Sequence, residues 1–193
     1  MASRTALLVI DMQRFFESMT TAALPNIKML IGHFQSASSP IIFTQHGHSE
    51  DELSGKVVNQ LVRKWGANGS IAIGSRDFEI QDELQRSIKN VKGDWPKVLT
   101  GKNTYDSFIN TDLQQILDNA KVQRVVVCGV MTDCCCDTTA RSAFNRGFET
   151  WLVSDACGSA NKTQHQAGLR GFGFAFGEVL TTREAISKLE NDE

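Results

Sequence analysis

The sequence predicts an α/β protein: a three-layer, six-stranded, mostly parallel sheet with helices on both faces. Two observations predict it. Six short apolar runs rich in β-branched residues are spread over the 193 residues. Stretches with apolar residues at helical spacing separate most of them, and that alternation argues for parallel strands covered on both sides. In such sheets ligands sit beyond the carboxyl ends of the strands.

The elements follow in order. Ala6-Leu7-Leu8-Val9-Ile10 reads as a buried strand ending at Asp11. Ile27, Leu30, Ile31 and Phe34 form the stripe of a helix that starts near Pro25. Residues 36–40 break that helix, and Ile41-Ile42-Phe43-Thr44 is a second strand. From Gln45 to Trp95 periodicity is poor, with one helix expected over Asp82 to Ile88. Lys97-Val98-Leu99-Thr100 is a third strand. Thr111-Asp112-Leu113-Gln114 has the form of a capping box, ahead of a helix carrying Leu113, Ile116, Leu117 and Ala120. The run Val125-Val126-Val127-Cys128 is a fourth strand, and a cysteine-bearing helix follows to about Arg146. Residues 150–154 form a fifth strand ending at Asp155, followed by a helix around Thr163 to Leu169. Glu178-Val179-Leu180 is the sixth strand, and Thr181-Thr182-Arg183-Glu184 caps a last helix.

Composition narrows the function. Apolar residues make up 41% and charged residues 22%, an ordinary globular balance that fits one domain over residues 1–193. The net charge of −2 gives no basis for a nucleic-acid or membrane partner. No apolar run approaches the ~18 residues of a bilayer span. Residues 1–5 lack the layout of a cleaved signal peptide, so a cytoplasmic location is expected. The five cysteines are an odd number and three are adjacent, which argues against a disulfide framework.

The adjacent three, Cys134-Cys135-Cys136, follow the fourth strand, where a turn into a helix can expose a thiol. The partial positive charge of a helix N-terminus favours thiolate there. Successive helical side chains point about 100° apart. Cys136 then shares a core face with Ala140, Ala143 and Phe144, and Cys134 shares a wet face with Thr138, Arg141 and Asn145. Cys135 lies at the boundary, where a cleft-lining nucleophile belongs. Cys128, Cys157, Trp95 and Trp151 read as packing residues, and His33 and His165 have no evident chemical partner. Taken singly, an Asp at a strand end caps a turn, and a lysine after glycine is solvated.

Three ordered motifs resemble the isochorismatase-like (cysteine hydrolase) family. They are Leu8-Val9-Ile10-Asp11-Met12-Gln13 with Phe16, then Lys102-Asn103-Thr104-Tyr105-Asp106-Ser107-Phe108, then Gly129-Val130-Met131-Thr132-Asp133-Cys134-Cys135 running on to Phe144. The resemblance implies an Asp-Lys-Cys triad of Asp11, Lys102 and Cys135. It also implies a cis peptide between Val130 and Met131, and an oxyanion hole from the backbone N–H groups of Met131 and Cys135. It places Phe16, His46, Trp65 and Tyr105 in a substrate pocket. It implies a homo-oligomer acting on a small molecule without a cofactor. The Gly171-Phe172-Gly173-Phe174 stretch with Phe176 is the expected subunit contact.

Members of the family differ in chemistry. The amidases attack with the cysteine, whereas isochorismatases cleave a vinyl ether with the Asp as acid and do not depend on a cysteine. Cys135 tilts the reading towards a small amide or other C–N bond. Isochorismate cleavage and a non-catalytic binding role remain the alternatives. Nicotinamidases also carry an Asp-x-His metal motif after the second strand. Here the region reads Thr44-Gln45-His46-Gly47-His48, with His46 in the Asp position, so no metal is expected and the histidines read as a solvated loop pair.

Overall fold

The computed structural model describes residues 4–89 and 93–192, so the reading of Met1 to Ser3 lies outside the described residues. The chain runs β1 (Thr5–Ile10), α1 (Glu17–Thr20), α2 (Leu24–Ser36), β2 (Ile41–His46), α3 (Glu50–Leu53), α4 (Gln60–Trp65), α5 (Asp82–Lys89) and β3 (Lys97–Lys102). It continues α6 (Leu113–Asn119), β4 (Arg124–Val130), α7 (Asp137–Asn145), β5 (Glu149–Gly158), α8 (Lys162–Ala175), β6 (Glu178–Leu180) and α9 (Thr182–Asn191). The six strands form one sheet in the order β3-β2-β1-β4-β5-β6, and every pairing is parallel.

Alternation along the strands divides the core. Leu7 and Val9 of β1, with Val126 and Cys128 of β4, face α2 and α9, where Ile27, Leu30, Phe34 and Ala185 meet them. Ala6, Leu8 and Ile10, with Val125 and Val127, face α6, α7 and α8, where Leu117, Ala140 and Phe172 close the other layer. Period-two side chains buried on both faces explain why the strands read as continuous apolar runs. Among the described residues no helix is long and apolar enough to cross a membrane.

The strand order reverses direction between β1 and β4. Chain segments leaving these neighbours diverge, which opens a crevice past their carboxyl ends. Gly129 permits the close approach of β4 to β1. Its φ is +120°, and a Cβ there would lie 2.1 Å from the Ile10 carbonyl oxygen.

Several boundaries differ from the sequence reading. Thr181 does form a capping box with Glu184, but Thr111 forms none with Gln114, because α6 starts at Leu113 with Asp112 in the N-cap place. The Thr111 hydroxyl donates back to the Ser107 carbonyl and accepts from the Leu113 N–H. β5 runs on to Gly158, past Asp155, through a register shift against β4. The Gly171–Phe174 stretch forms the last turns of α8, where Phe172 belongs to the core and Phe174 is 93% exposed. Phe144, expected on the core face, is largely exposed and packs edge-on against Phe176.

Candidate active site

The first candidate residue, Asp11, leaves β1 in the left-handed region, at φ +47°. This conformation is uncommon for a residue with a side chain, though Asp tolerates it better than most. Thr44 of β2 fixes it from both ends: the Asp11 N–H donates to Thr44 Oγ1 at 3.1 Å, and the Thr44 hydroxyl donates to Asp11 Oδ1 at 2.6 Å.

The other carboxylate oxygen, Oδ2, accepts from Lys102 Nζ at 2.6 Å. Lys102 closes β3, paired in register with His46, and points across the strand ends. Its ammonium also lies 3.4 Å from Cys135 Sγ. Asp11 and Lys102 are both 0% exposed and Cys135 is 5% exposed. Lys102 is thus a fully buried cation between a carboxylate and a thiol, not the solvated lysine that its glycine neighbour suggests.

The cysteine turn is not a regular α-helix start. The Val130–Met131 peptide bond is cis, and residues Thr132–Cys136 form a π-helical turn that leads into α7. The Met131 carbonyl accepts from the N–H groups of both Cys134 and Cys136, each at 3.1 Å. α8 and the end of β5 hold the turn from behind. Thr132 Oγ1 donates to the Gly158 carbonyl at 2.9 Å and lies 2.8 Å from His165 Nδ1. Asp133 accepts from Ser159. His165 therefore does have a partner, and with its single proton committed to Gly158 the Thr132 hydroxyl accepts from an Nδ1-protonated imidazole.

Burial and the neighbouring charges set the protonation states. Burial alone would raise the Asp11 pKa. The Lys102 ammonium, with smaller help from His46 and the bonds from Lys102 and Thr44, outweighs burial and holds the carboxyl below its usual value. Burial would lower the Lys102 pKa, but Asp11 and Cys135 raise it overall. Burial pushes the Cys135 thiol well up, and Lys102 only partly opposes this. The expectation that the turn favours a resting thiolate is therefore reversed: desolvation outweighs the helix end. The resting site holds a Lys102–Asp11 ion pair beside a neutral thiol.

Cys135 opens onto a cavity of about 240 Å³. Phe16, His46, Trp65 and Tyr105 line it, as do Phe15, Met19, Leu61 and Ile71, which sequence reasoning missed. No Arg, Lys, Asp or Glu side chain is among the lining residues. Cys134 lines it too, half-buried and with its thiol raised to about 11 by burial and by Asp133. Cys136 is fully buried behind the turn. A larger depression of about 750 Å³ lies at the opposite, amino-terminal edge of the sheet and contains none of the motif residues.

His46 and His48 are buried, not the solvated pair expected. Burial and the Lys102 charge hold the His46 pKa at about 3, so its ring is neutral at physiological pH. These residues do not fit a metal ion. The two rings meet edge to face at 4.8 Å, and the Lys102 charge disfavours a cation beside His46. The carboxylate beside His48, Glu52, is saturated: Ser49, Asn59 and Asn103 donate to its two oxygens. Among the described residues no three His, Cys, Asp or Glu side chains are grouped to hold a metal.

Comparison with known proteins places the chain in a family. The isochorismatase domain model matches residues 5–184. The chain is 38% identical over 176 residues to nicotinamidase 3 of Arabidopsis thaliana, covering 91% of this chain and 83% of that protein. Its fold superposes on a cysteine hydrolase from Pseudomonas syringae pv. phaseolicola with a TM-score of 0.83 and 26% identity, over 98% of this chain and 94% of that one. A nicotinamidase from Staphylococcus aureus shares the fold at a TM-score of 0.74 and 23% identity, over 92% and 98% of the two chains. The match over nearly the whole sequence, together with the six-stranded parallel sheet, makes this chain a member of the isochorismatase family, whose members are hydrolases.

Proposed function

We propose that the protein hydrolyses a small, uncharged carboxamide through a thioester on Cys135, with Asp11 as general base and Lys102 as the fixed cation of an Asp-Lys-Cys triad. The observation that carries this reading is the buried ammonium of Lys102, 2.6 Å from Asp11 and 3.4 Å from Cys135, whose thiol opens onto an apolar cavity. As Cys135 Sγ attacks the carbonyl carbon, its proton passes to Asp11. The backbone N–H groups of Met131 and Cys135 are assigned to the developing oxyanion, and one such donor typically lowers the barrier by about 3 kcal/mol. Collapse expels the amine, which takes the proton from Asp11. Water then attacks the thioester, giving its proton to Asp11, and the acid leaves as the thiol reforms.

The lining of the cavity supports an amide over isochorismate. Isochorismate carries two carboxylates, and among the described residues no cationic side chain lines the cavity to replace their hydration. The similarity to nicotinamidase 3 of Arabidopsis thaliana points the same way.

The test is a hydrolysis panel of amides that includes nicotinamide, together with isochorismate, each run with and without chelator. Turnover of a neutral amide, indifferent to chelator, is expected. Cys135→Ala should abolish it, while Cys134→Ala and Cys136→Ala retain part of it. Equal loss from Cys134→Ala would overturn the nucleophile assignment. Pyruvate release from isochorismate that survives Cys135→Ala but not Asp11→Asn would establish vinyl-ether cleavage instead.

A further inference from the structure

A single hydroxyl ties the start of the nucleophile turn to the sheet. Thr132 stands three residues before Cys135 in the π-helical turn and is fully buried. Its Oγ1 donates to the carbonyl of Gly158, the last residue of β5, at 2.9 Å. That carbonyl belongs to a wedged strand end. Gly158 is paired in register with Val130, and a Cβ on it would lie 2.1 Å from the Met19 carbonyl oxygen. A threonine hydroxyl rotates about its C–O bond and has one proton to give, so the donor it accepts from fixes where that proton points. Here the donor is His165 Nδ1, 2.8 Å away in the first turn of α8. The helix start holds the imidazole in turn: Asn161 accepts from the Gln164 N–H with its side chain and from the His165 N–H with its carbonyl. His165 does not line the cavity, so its influence on the reaction runs through Thr132.

We propose that His165 is a positioning residue for the nucleophile: its Nδ1–H fixes the Thr132 hydroxyl against the Gly158 carbonyl and so holds Cys135 at the Lys102 ammonium. The inference rests on Cys135 as the nucleophile of the reading above and adds the group that aims it. The 3.4 Å contact between Cys135 Sγ and Lys102 Nζ leaves little slack. A turn displaced by about 1 Å takes the sulfur away from the cation that balances a thiolate, and a misplacement of that size can cost about a hundredfold in rate.

Iodoacetamide, a small neutral alkylating agent, reads the placement of the thiol. Initial labelling rates of Cys135 and Cys134 are measured in the same sample at neutral pH by peptide mass spectrometry. Both thiols line the cavity, and of the two Cys135 is the one at Lys102. The ratio of the Cys135 rate to the Cys134 rate therefore cancels changes in access and reports the loss of the ammonium. In His165→Leu the ratio should fall about ten- to a hundredfold. His165→Asn, whose side-chain N–H takes the place of Nδ1–H, should restore most of it. Thr132→Val should lower the ratio, and adding His165→Leu to it should lower the ratio no further, because His165 acts through the hydroxyl. A ratio within about twofold of wild type in His165→Leu would overturn the positioning role, and the amide reading would stand. Equal losses in the Leu and Asn variants, or additive losses in the double variant, would overturn it too. Loss of the ratio in His165→Leu with rescue by Asn supports the role even where no amide in the panel is turned over, because labelling needs no substrate. Urea unfolding of each variant is the control: a lowered midpoint with an unchanged ratio assigns His165 to stability alone and overturns the proposal.

Discussion

The Lys102–Asp11 pair offers the sharpest quantitative test. In Lys102→Met the flexible stem is retained while the ammonium is lost. Both side chains are fully buried, so the change strands a carboxylate whose side-chain partners are the neutral Thr44 hydroxyl and Cys135 thiol. Breaking a buried pair by removing one partner typically costs about 3–5 kcal/mol, much of a typical domain's stability. The penalty depends on pH in a predictable direction. In the wild type the folded pKa of Asp11 lies below its ordinary value of 3.8, so the pair's contribution is present above that value and is lost as pH falls through the folded pKa. Without Lys102, burial is the largest remaining influence and it raises the pKa. The variant's carboxyl then takes up a proton in the folded state and relieves the stranded charge.

The stability gap between wild type and Lys102→Met should therefore be widest near pH 8 and narrow towards pH 5, by at most about 1.4 kcal/mol per pH unit for one proton. Urea unfolding followed by the fluorescence of the buried Trp151 measures the gap, provided the slope of free energy against urea is unchanged. The double variant with Asp11→Asn should be less destabilised than Lys102→Met alone, because it strands no charge. A gap below about 1 kcal/mol, the size of an exposed ion pair, or one constant across pH, would refute the buried-pair reasoning. Activity should fall at least about a hundredfold at neutral pH, since a protonated Asp11 no longer serves as base.

Three further outcomes follow from the geometry. The pH profile of kcat/KM should show no inflection near the ordinary histidine pKa of about 6.5. His46 stays neutral down to about 3, and His48 and His165 are also shifted down, so an inflection between about 6 and 7 in the amide assay would contradict the site's electrostatics. Gly168→Ala should cost about 1–3 kcal/mol and slow turnover, because the new methyl lies 2.8 Å from the Asp133 Cα and forces α8 away from the nucleophile turn. Gly32→Ala, with nothing within 4 Å in the middle of α2, should instead stabilise by about 0.4–1 kcal/mol in the same unfolding assay.

Much of the site was legible in the sequence because strand ends carry it. Asp11 and Cys135 each follow an apolar run closely, and Lys102 ends another, so a parallel sheet had few ways to avoid gathering them. Helix phase also separated Cys136 from Cys134 correctly even though the local turn is π-helical, because one residue of offset still carries a side chain from core to cleft. The cavity wall between Gln45 and Trp95 was not legible. It is held by long-range polar contacts: the Gln13 side chain donates to the carbonyls of His46 and Phe78 and accepts from the His46 N–H. Thr44, 33 positions from Asp11, gave no signal as its clamp. The Thr111 box failed because α6 starts one residue later than its spacing implies, with Asp112 in the N-cap place.

The charge state of the thiol was misread because burial belongs to the fold, and burial here is complete enough to outweigh a helix end. That reversal bears on how the proposed Asp-Lys-Cys triad would work. With Cys135 neutral and Asp11 ionised, the ammonium of Lys102 is balanced by one negative charge. Passing the proton from sulfur to carboxylate moves that charge from Asp11 to Cys135, from 2.6 Å on one side of the ammonium to 3.4 Å on another. The buried net charge is zero before and after. In a medium where an uncompensated ion costs several kcal/mol, a cation that already touches both ends of the transfer keeps the thiolate within reach without forming it at rest. The nucleophile is then generated when a carbonyl carbon is there to receive it, and a cavity without a free thiolate is less exposed to oxidants between turnovers.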